Sequence, residues 1–378
     1  MKHMRESSRL IELEETLTLL AEAVPTRTWG PIRADRDDPA LDRSSMDGIL
    51  VRACEGLAPR SVRGTVYAGD DPRPFSVTPG TCLRIMTGAC IPEGGDAVIP
   101  VEFLEARGDQ LVPMRVPHPG DHIRRRGDQA QAGSLLVAGA QPWNAARQGL
   151  MAQVGLPLVP LQRVRIGIAP TGDELRGDPE PWQIRDSNGP MLAALAHALG
   201  GEACALPPVP DDPVAVADFF RARNDCRILL TAGGVSMGEK DHLPRVLAEL
   251  GAHILFHKIR LKPGKPTLAA ILGDLVILCL PGNPVSAYLN ALLFLPVILA
   301  RLEGRALPEP WRLGHLQQAI PNPGDRPLLH PCTREGDQLK PLVSKGSADL
   351  VCLARAAVCA WVPEGGAQAG IARYLELI

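Results

Sequence analysis

The sequence predicts a multidomain α/β protein: a doubly wound α/β domain at the centre, a β-rich part before it and a smaller β part after it. Three observations carry that reading. The chain has 378 residues, beyond the ~250–300 at which a single core stops growing. Between about Val164 and Ala300 its apolar runs alternate between strand and helix lengths, the pattern of β-α units. On either side of that stretch they shorten to strand length and are broken by glycine, proline and aspartate.

Leu10, Leu13, Leu17 and Leu20 recur at helical spacing and Pro25 stops the pattern, so the chain opens with an amphipathic helix. A polar stretch rich in aspartate and proline comes next. From about Val62 to Val137 short apolar runs, such as 82–86 and 97–101, predict several strands with tight turns. R-G-D-Q at 107–110 and 126–129, with E-G-D-Q at 335–338, read as turns rather than adhesion signals. V-R-I-G-I-A-P at 164–170 is a strand. A helix over 191–199 is opened by Asn188 and Pro190 and closed by Gly200-Gly201, and Asp212-Pro213 opens another. Strands at 227–230, 267–272 and 275–280 lead to a long helix from Val285, and the alternation predicts a parallel sheet. After about Pro308 the runs are short again, which predicts a small C-terminal β domain.

Composition removes several function classes. The formal net charge is −2 and aromatics make up 4% of the chain, so there is no global basic field and there are few stacking platforms for a nucleic-acid partner. The nine cysteines are scattered without a C-x-x-C pair and odd in number, which suits reduced thiols in a cytoplasmic protein. M-K-H-M-R-E is too charged for a secretory signal. The uncharged run from Leu275 to Ala300 is cut by P-G-N-P, and the part beyond that cut falls short of the ~20 residues of a membrane span, so it predicts a buried helix and no membrane partner.

In a doubly wound sheet, ligands sit beyond the carboxyl ends of the strands. Three predicted strands end in unusual loops: T-G-D-E-L at 171–175, T-A-G-G-V-S-M-G-E-K-D at 231–241 and P-G-N-P at 281–284. Gly233, Gly234 and Gly238 would let backbone amides approach a ligand, and P-G-N-P presents a helix N-terminus to an anion. Lys258, Lys262 and Lys265 add positive charge, the last two within K-P-G-K-P. Glu174, Asp186 and Asp241 add carboxylates, and carboxylates beside phosphate suit a hydrated Mg²⁺. Each loop alone reads more readily as a plain turn or a cap; together they point to a phosphorylated or nucleotide ligand. A Rossmann fingerprint is absent, since G-G-V-S-M-G is not G-x-G-x-x-G. His253 and His257 lack an H-E-x-x-H pattern and read as structural, Arg124 to Arg126 read as a solvated face, and no Ser-His-Asp order can be assigned.

These motifs resemble the molybdopterin molybdenumtransferase family, which includes the E domain of gephyrin. The resemblance rests on S-S-M-D-G at 44–48, L-R-I-M-T-G-A at 83–89, P-E-G-G-D-A-V at 92–98 and R-R-R-G-D at 124–128. It continues through T-G-D-E-L, Q-I-R-D-S-N at 183–188, the Gly-Gly loop, K-P-G-K-P and L-P-G-N-P-V-S-A at 280–287, all in the family's order. It implies an elongated helical and linker region (1–45 and 122–162), a β-rich domain (46–121), an α/β molybdopterin-binding domain (163–305) and a C-terminal β-barrel-like domain (306–378). It also implies a homodimer with the active site shared between subunits, and Mg²⁺-dependent insertion of molybdate into adenylylated molybdopterin with release of AMP. Molybdopterin adenylyltransferase and molybdoenzyme maturation factors would be its partners.

By the same resemblance, Asp47 and Thr87 would act from the partner subunit, while Glu174, Asp211 and Asp241 would position metal and phosphoanhydride, with Asp186 as a further metal ligand. Lys258, Lys262 and Lys265 would neutralise phosphate or molybdate. Gly233, Gly234 and Ser236 would line the cofactor loop, and Pro281, Asn283 and Pro284 would shape the pterin pocket. The chain departs from the family pattern at Gln129, where an acid is usual, at Ile49, where an aromatic is usual, at Leu350 to Leu353 in place of a serine-rich stretch, and at His330 in place of an arginine. A rival reading is therefore a catalytically weak paralogue that binds or delivers the cofactor or acts as a scaffold. A generic nucleotide-binding protein is a third, which the motifs of the β-rich part do not favour.

Overall fold

The computed structural model describes residues 10–159, 163–172, 175, 177–209, 212–223, 225–234 and 243–378. The chain divides into two compact units, Trp29–Val159 and a larger one made of Met1–Thr28 with Pro160–Ile378. The larger unit takes its first helix, α1 (Leu13–Ala23), from the N-terminal stretch. Leu13, Thr16 and Leu20 are its buried stripe, and the helix ends just before Pro25, as the leucine spacing predicts.

The Trp29–Val159 unit is built on a six-stranded sheet. Its strands are β1 (Gly48–Val51), β2 (Arg60–Val66), β3 (Thr81–Ile85), β4 (Ala97–Pro100), β5 (Leu104–Arg107) and β6 (Gln110–Pro113), in the order β4-β1-β3-β2-β6-β5. The short apolar runs are strands covered on both faces. Leu50, Leu83, Ile85 and Val98 belong to one cluster, while Ile49, Val51, Cys82 and Ile99 belong to another, so alternate side chains feed opposite layers. R-G-D-Q at 107–110 is the two-residue turn joining β5 to β6, with Gly108 at φ +64°. Two short ladders, Ile32–Arg33 with Leu135–Val137 and Arg43–Ser44 with Ile123–Arg124, stand beside the sheet. Helix α2 (Ala145–Gln153) is capped by Asn144, whose Oδ1 accepts from the Arg147 amide at 3.1 Å.

The larger unit holds a second six-stranded sheet. Its elements are β7 (Arg165–Pro170), α3 (Asn188–Ala198), β8 (Glu202–Ala205), α4 (Pro213–Arg221), β9 (Ile228–Ala232), α5 (Leu243–Glu249), β10 (His253–His257), β11 (Leu268–Leu272), β12 (Leu275–Leu280) and α6 (Pro284–Glu303). The strand order is β8-β7-β9-β12-β11-β10. Parallel pairing, as the alternation predicts, holds for β8, β7, β9 and β12. It fails for the two pairs made by β11, which runs the other way: Gly273 and Asp274 leave only a two-residue link to β12, so that pair is antiparallel, and β10 pairs antiparallel with β11 on its other side. Asp212 caps α4 through the Ala215 amide at 2.9 Å.

Helix α6 starts one residue before Val285 and runs beyond Ala300 to Glu303. At 20 residues it is long and apolar enough to cross a membrane by length and composition, yet 83% of its apolar window is buried within the protein. It is the axis of the main core: Leu289, Leu293, Phe294 and Ile298 pack with Leu20 of α1, Leu195 of α3 and Leu278 of β12. After it, β13 (Trp311–Leu316), β14 (Leu328–Glu335), β15 (Gln338–Pro341), α7 (Leu350–Arg355), β16 (Val358–Val362) and β17 (Gly370–Glu376) form a closed barrel of strand order β13-β15-β14-β16-β17. Its interior is Leu316, Cys332, Leu339, Ala360 and Tyr374, while Leu329, Cys359 and Leu375 join the core around α6. E-G-D-Q at 335–338 is the tight turn between β14 and β15.

Candidate active site

The three glycine- and proline-rich loops meet at the carboxyl edge of β7, β9 and β12. Thr171 donates both its amide, at 3.0 Å, and its hydroxyl, at 2.9 Å, to the Ala232 carbonyl, and the Gly233 amide donates to Leu280 at 2.9 Å. Gly233 has φ +107°, and a Cβ there would run into the Thr171 hydroxyl; Gly234 follows at φ +66°. A Cβ on Gly282 would stand 3.6 Å from the Gly233 Cα. Side chains are excluded at this junction, so the backbone itself is what a ligand meets. Asn188, on the first turn of α3, donates from Nδ2 to the Gly282 carbonyl at 2.8 Å. Asp186 Oδ1 accepts the Gly189 amide at 2.9 Å, which ties the same helix end.

Of the predicted residues, Gly233, Gly234, Asp186, Pro281, Asn283 and Pro284 thus belong to one edge. Glu174, Asp211, Ser236 and Asp241 lie outside the described residues, as does Gly238. Among the described residues no three of His, Cys, Asp or Glu gather closely enough to hold a metal by themselves.

K-P-G-K-P is built on a buried asparagine. Asn290 of α6 is fully buried and donates from Nδ2 to the Gly264 carbonyl at 3.0 Å and to the Thr267 hydroxyl at 2.5 Å. Thr267 in turn donates to the Gly264 carbonyl at 2.8 Å. Gly264 has φ +120° and lies so close to the Asn290 amide group that a side chain would displace it. The loop is also stitched to the barrel: the Lys262 amide donates to Pro327 at 2.8 Å, and the Leu329 amide to Lys262 at 2.8 Å. Lys258 stands at the head of this segment with φ +89°, its amide on the Thr267 carbonyl.

Between this loop, P-G-N-P and the barrel lies a cavity of about 440 Å³. Lys262, Lys265, Pro281 and Asn283 line it from the sheet side, and Arg326, His330, Ser344 and Ser347 from the barrel side. Lys258 is not part of the lining. Asn283 Nδ2 donates to the Ser347 hydroxyl at 2.8 Å, and the Val285 amide to the Ser347 carbonyl at 3.1 Å. Arg326 donates from Nη1 to the Leu261 carbonyl at 3.2 Å, next to Lys262. Asp349 braces the serine loop by accepting the Lys345 amide at 2.9 Å and the Cys352 amide at 3.1 Å, and these bonds hold its carboxyl below the usual range.

His330 stands where the resemblance leads one to expect an arginine, and it does not supply that charge. Burial pushes its imidazole below the ordinary range. Nε2 faces the Leu342 carbonyl at 2.9 Å, so the neutral ring carries its proton there. Arg326, Ser344 and Asn290 are site residues that the sequence motifs do not single out. Asn290 had a signal, as the polar residue inside Y-L-N-A-L-L-F-L, since a buried amide requires a partner. A wider cavity of about 910 Å³ against α1, α6 and β17 is lined mainly by Leu17, Leu292, Leu293, Val297 and Leu375, with Thr18, Arg301 and Arg312 but no lysine or serine among the described residues.

In the Trp29–Val159 unit, S-S-M-D-G and R-I-M-T-G-A form one constellation. Asp47 Oδ1 accepts both the amide and the hydroxyl of Thr87 at 2.7 Å, and these two bonds hold its exposed carboxyl below the usual range. The Gly88 amide donates to Ser44 at 2.8 Å, and Arg43 Nη1 donates to the Gly88 carbonyl at 2.6 Å. Gly48 packs against the Ile99 backbone, where no side chain fits. The arginine run is more than a solvated face: Arg125 pairs with Asp42 at 2.7 Å and Arg126 with Asp37 at 2.6 Å. The Ala132 amide and Arg126 hold the Asp37 carboxyl low.

The comparisons with known proteins agree with this arrangement. Residues 1–155 match the family described as "MoeA N-terminal region (domain I and II)", and residues 167–300 match "Probable molybdopterin binding domain". The molybdopterin molybdenumtransferase of Synechococcus elongatus is 36% identical over 314 residues, covering 75% of this chain and 76% of that protein. Molybdopterin molybdenumtransferase 2 of Mycobacterium tuberculosis is 33% identical over 330 residues, covering 82% and 80%. The crystal structure of a molybdopterin biosynthesis moeA protein from Pyrococcus horikoshii superposes with a TM-score of 0.76 at 25% identity, covering 98% of this chain and 100% of that one. With both of these regions matched and with curated relatives at 33–36% identity over most of its length, the chain belongs to the molybdopterin molybdenumtransferase family.

Proposed function

We propose that this enzyme of molybdenum cofactor biosynthesis inserts molybdate into adenylylated molybdopterin with Mg²⁺ and releases AMP. The observation that carries the reading is the cavity lined by Lys262, Lys265 and Arg326 together with Ser344 and Ser347. Fixed cations and donors in a partly closed cavity stabilise the negative charge of a phosphoanhydride, a departing AMP or an oxyanion without reorganising. The loop geometry supports this: Asn290 and the barrel backbone hold the lysine loop, and the start of α6 adds the positive end of a helix dipole. The glycine junction supports it too, since the missing side chains at Gly233, Gly234 and Gly282 let a flat or phosphorylated ligand approach the backbone.

Mg²⁺ keeps several waters and binds through one or two carboxylates together with phosphate oxygens. Asp186 fits such a donor set, because the Gly189 amide engages Oδ1 and Oδ2 has no hydrogen-bond partner among the described residues. Glu174 and Asp241 complete the proposed set, and the ion would supply charge neutralisation at the phosphoanhydride. Lys262, Lys265 and Arg326 would hold the phosphates and the oxyanion, and the neutral His330 ring shapes the wall between them.

The proposal includes a homodimer in the cytoplasm, in which Asp47 and Thr87 serve the lysine-lined cavity of the partner subunit. Molybdopterin adenylyltransferase would deliver the substrate and molybdoenzyme maturation factors would receive the product. The test is AMP release from adenylylated molybdopterin by the purified chain, with and without molybdate and Mg²⁺. Release that depends on both is expected; tight binding without release would overturn the reaction in favour of a carrier. Mixing an Asp47→Asn chain with a Glu174→Gln chain should restore activity in mixed dimers, and failure to do so with both chains folded would overturn the shared site.

A further inference from the structure

The segment between β7 and α3 carries an indole that the lysine-lined cavity and the glycine junction leave unused. Trp182 is 76% exposed. The other four tryptophans pair with one another, Trp29 with Trp143 at 4.2 Å between ring centres and Trp311 with Trp361 at 5.2 Å. Among the described residues Trp182 has no ring partner, in a chain with only 4% aromatic residues. Its loop is nevertheless braced. The Gln183 amide donates to the Glu180 carbonyl at 2.8 Å, and the Glu180 amide to Gln183 Oε1 at 3.2 Å.

Both directions along the chain lead to the ligand edge. Ile184 bridges to Leu175, at the end of T-G-D-E-L. Asp186 and Asn188 fix the start of α3, and Asn188 reaches the Gly282 carbonyl of P-G-N-P at 2.8 Å. A large apolar ring is thus held in water on a braced segment that is tied to the loops of the ligand edge through Ile184 with Leu175 and Asn188 with Gly282. Water is a poor neighbour for an indole, and a planar nitrogen heterocycle is a good one, since stacking tolerates any such ring.

We propose that Trp182 is a stacking platform for a planar heterocycle of the substrate, a positioning role that rests on the reading of the site as one for adenylylated molybdopterin. That substrate offers two such rings, adenine and pterin. Two probes separate them: AMP, and molybdopterin without the nucleotide, each titrated calorimetrically against the wild-type chain, W182F and W182A. W182A should bind one of the two about 5- to 150-fold more weakly, and that probe identifies the stacked ring. W182F should recover most of the loss. In turnover, KM for adenylylated molybdopterin should rise in W182A with kcat held.

A second readout is iodide quenching of the Trp182 emission, taken as the difference between wild type and W182F, which should fall when the stacked probe is bound. Equal binding of both probes by W182A and wild type, or a W182F chain as weak as W182A, would overturn the role. If the wild-type chain binds neither probe and releases no AMP, the reading of the site falls and the inference with it. If the wild type binds and turns over while W182A matches it, the site stands and only the role of Trp182 falls.

Discussion

Removing the Asn290 amide should loosen the lysine loop without touching a lysine. In wild type its Nδ2 supplies two hydrogen bonds in a fully buried setting, to Gly264 and to Thr267. Each is worth about 1 kcal/mol net, so Asn290→Ala should cost about 2 kcal/mol, and nearer 3 kcal/mol where the void does not close. Gly264 retains the Thr267 hydroxyl, which keeps the loss from being larger. A chain with two compact units need not unfold in one step, so the reporters are local amides. Lys258 N–H on Thr267, Ile259 N–H on Lys265 and Thr267 N–H on Lys265 all lie in this segment. Their hydrogen exchange should quicken about 30-fold for 2 kcal/mol, and KM for the adenylylated substrate should rise in parallel. Thr267→Val removes the other partner, and because the two share one network their effects should not add. Wild-type exchange at these three amides in Asn290→Ala, with KM unchanged, would refute the claim that the asparagine holds the loop.

Other expectations come from single contacts. Arg60 is fully buried and pairs with Glu55 at 3.0 Å, so Glu55→Ala should strand a buried guanidinium and cost about 3–5 kcal/mol, whereas Arg60→Met should cost less; protease susceptibility of the Trp29–Val159 unit compares them. Gly233→Ala should lose about 1–3 kcal/mol and weaken AMP binding, because φ +107° disfavours a side chain and its Cβ would meet Thr171; equal AMP affinity in calorimetry would contradict this. His330 binds its proton less readily in the folded chain than the unfolded one. Its contribution is therefore complete above about pH 6.5 and is lost as pH falls through the lower folded value, and His330→Gln should flatten that part of the melting-temperature profile.

The features legible in the sequence were local, and the illegible ones long-range. The leucine spacing of α1, the Asp212 cap and the Gly108 and Gly336 turns are set by residues within a few positions of one another, so pattern alone reveals them. The motifs of the three loops could be named because glycine and proline mark backbone conformations that other residues avoid. The antiparallel edge was legible too, in the two-residue link Gly273-Asp274, but the surrounding alternation of strands and helices concealed it. The site's second half was not legible. Asn290 meets Gly264 across 26 positions, Asn283 meets Ser347 across 64, and Arg326 meets Leu261 across 65. No periodicity encodes such meetings; packing of α6 and closure of the barrel create them. The substitution at His330 therefore misleads when read alone. A missing arginine suggests a missing charge, yet Arg326 lines the same cavity four residues earlier. The cavity's charge is a property of the fold around it, and a departure at one position is informative only once its neighbours in space are known.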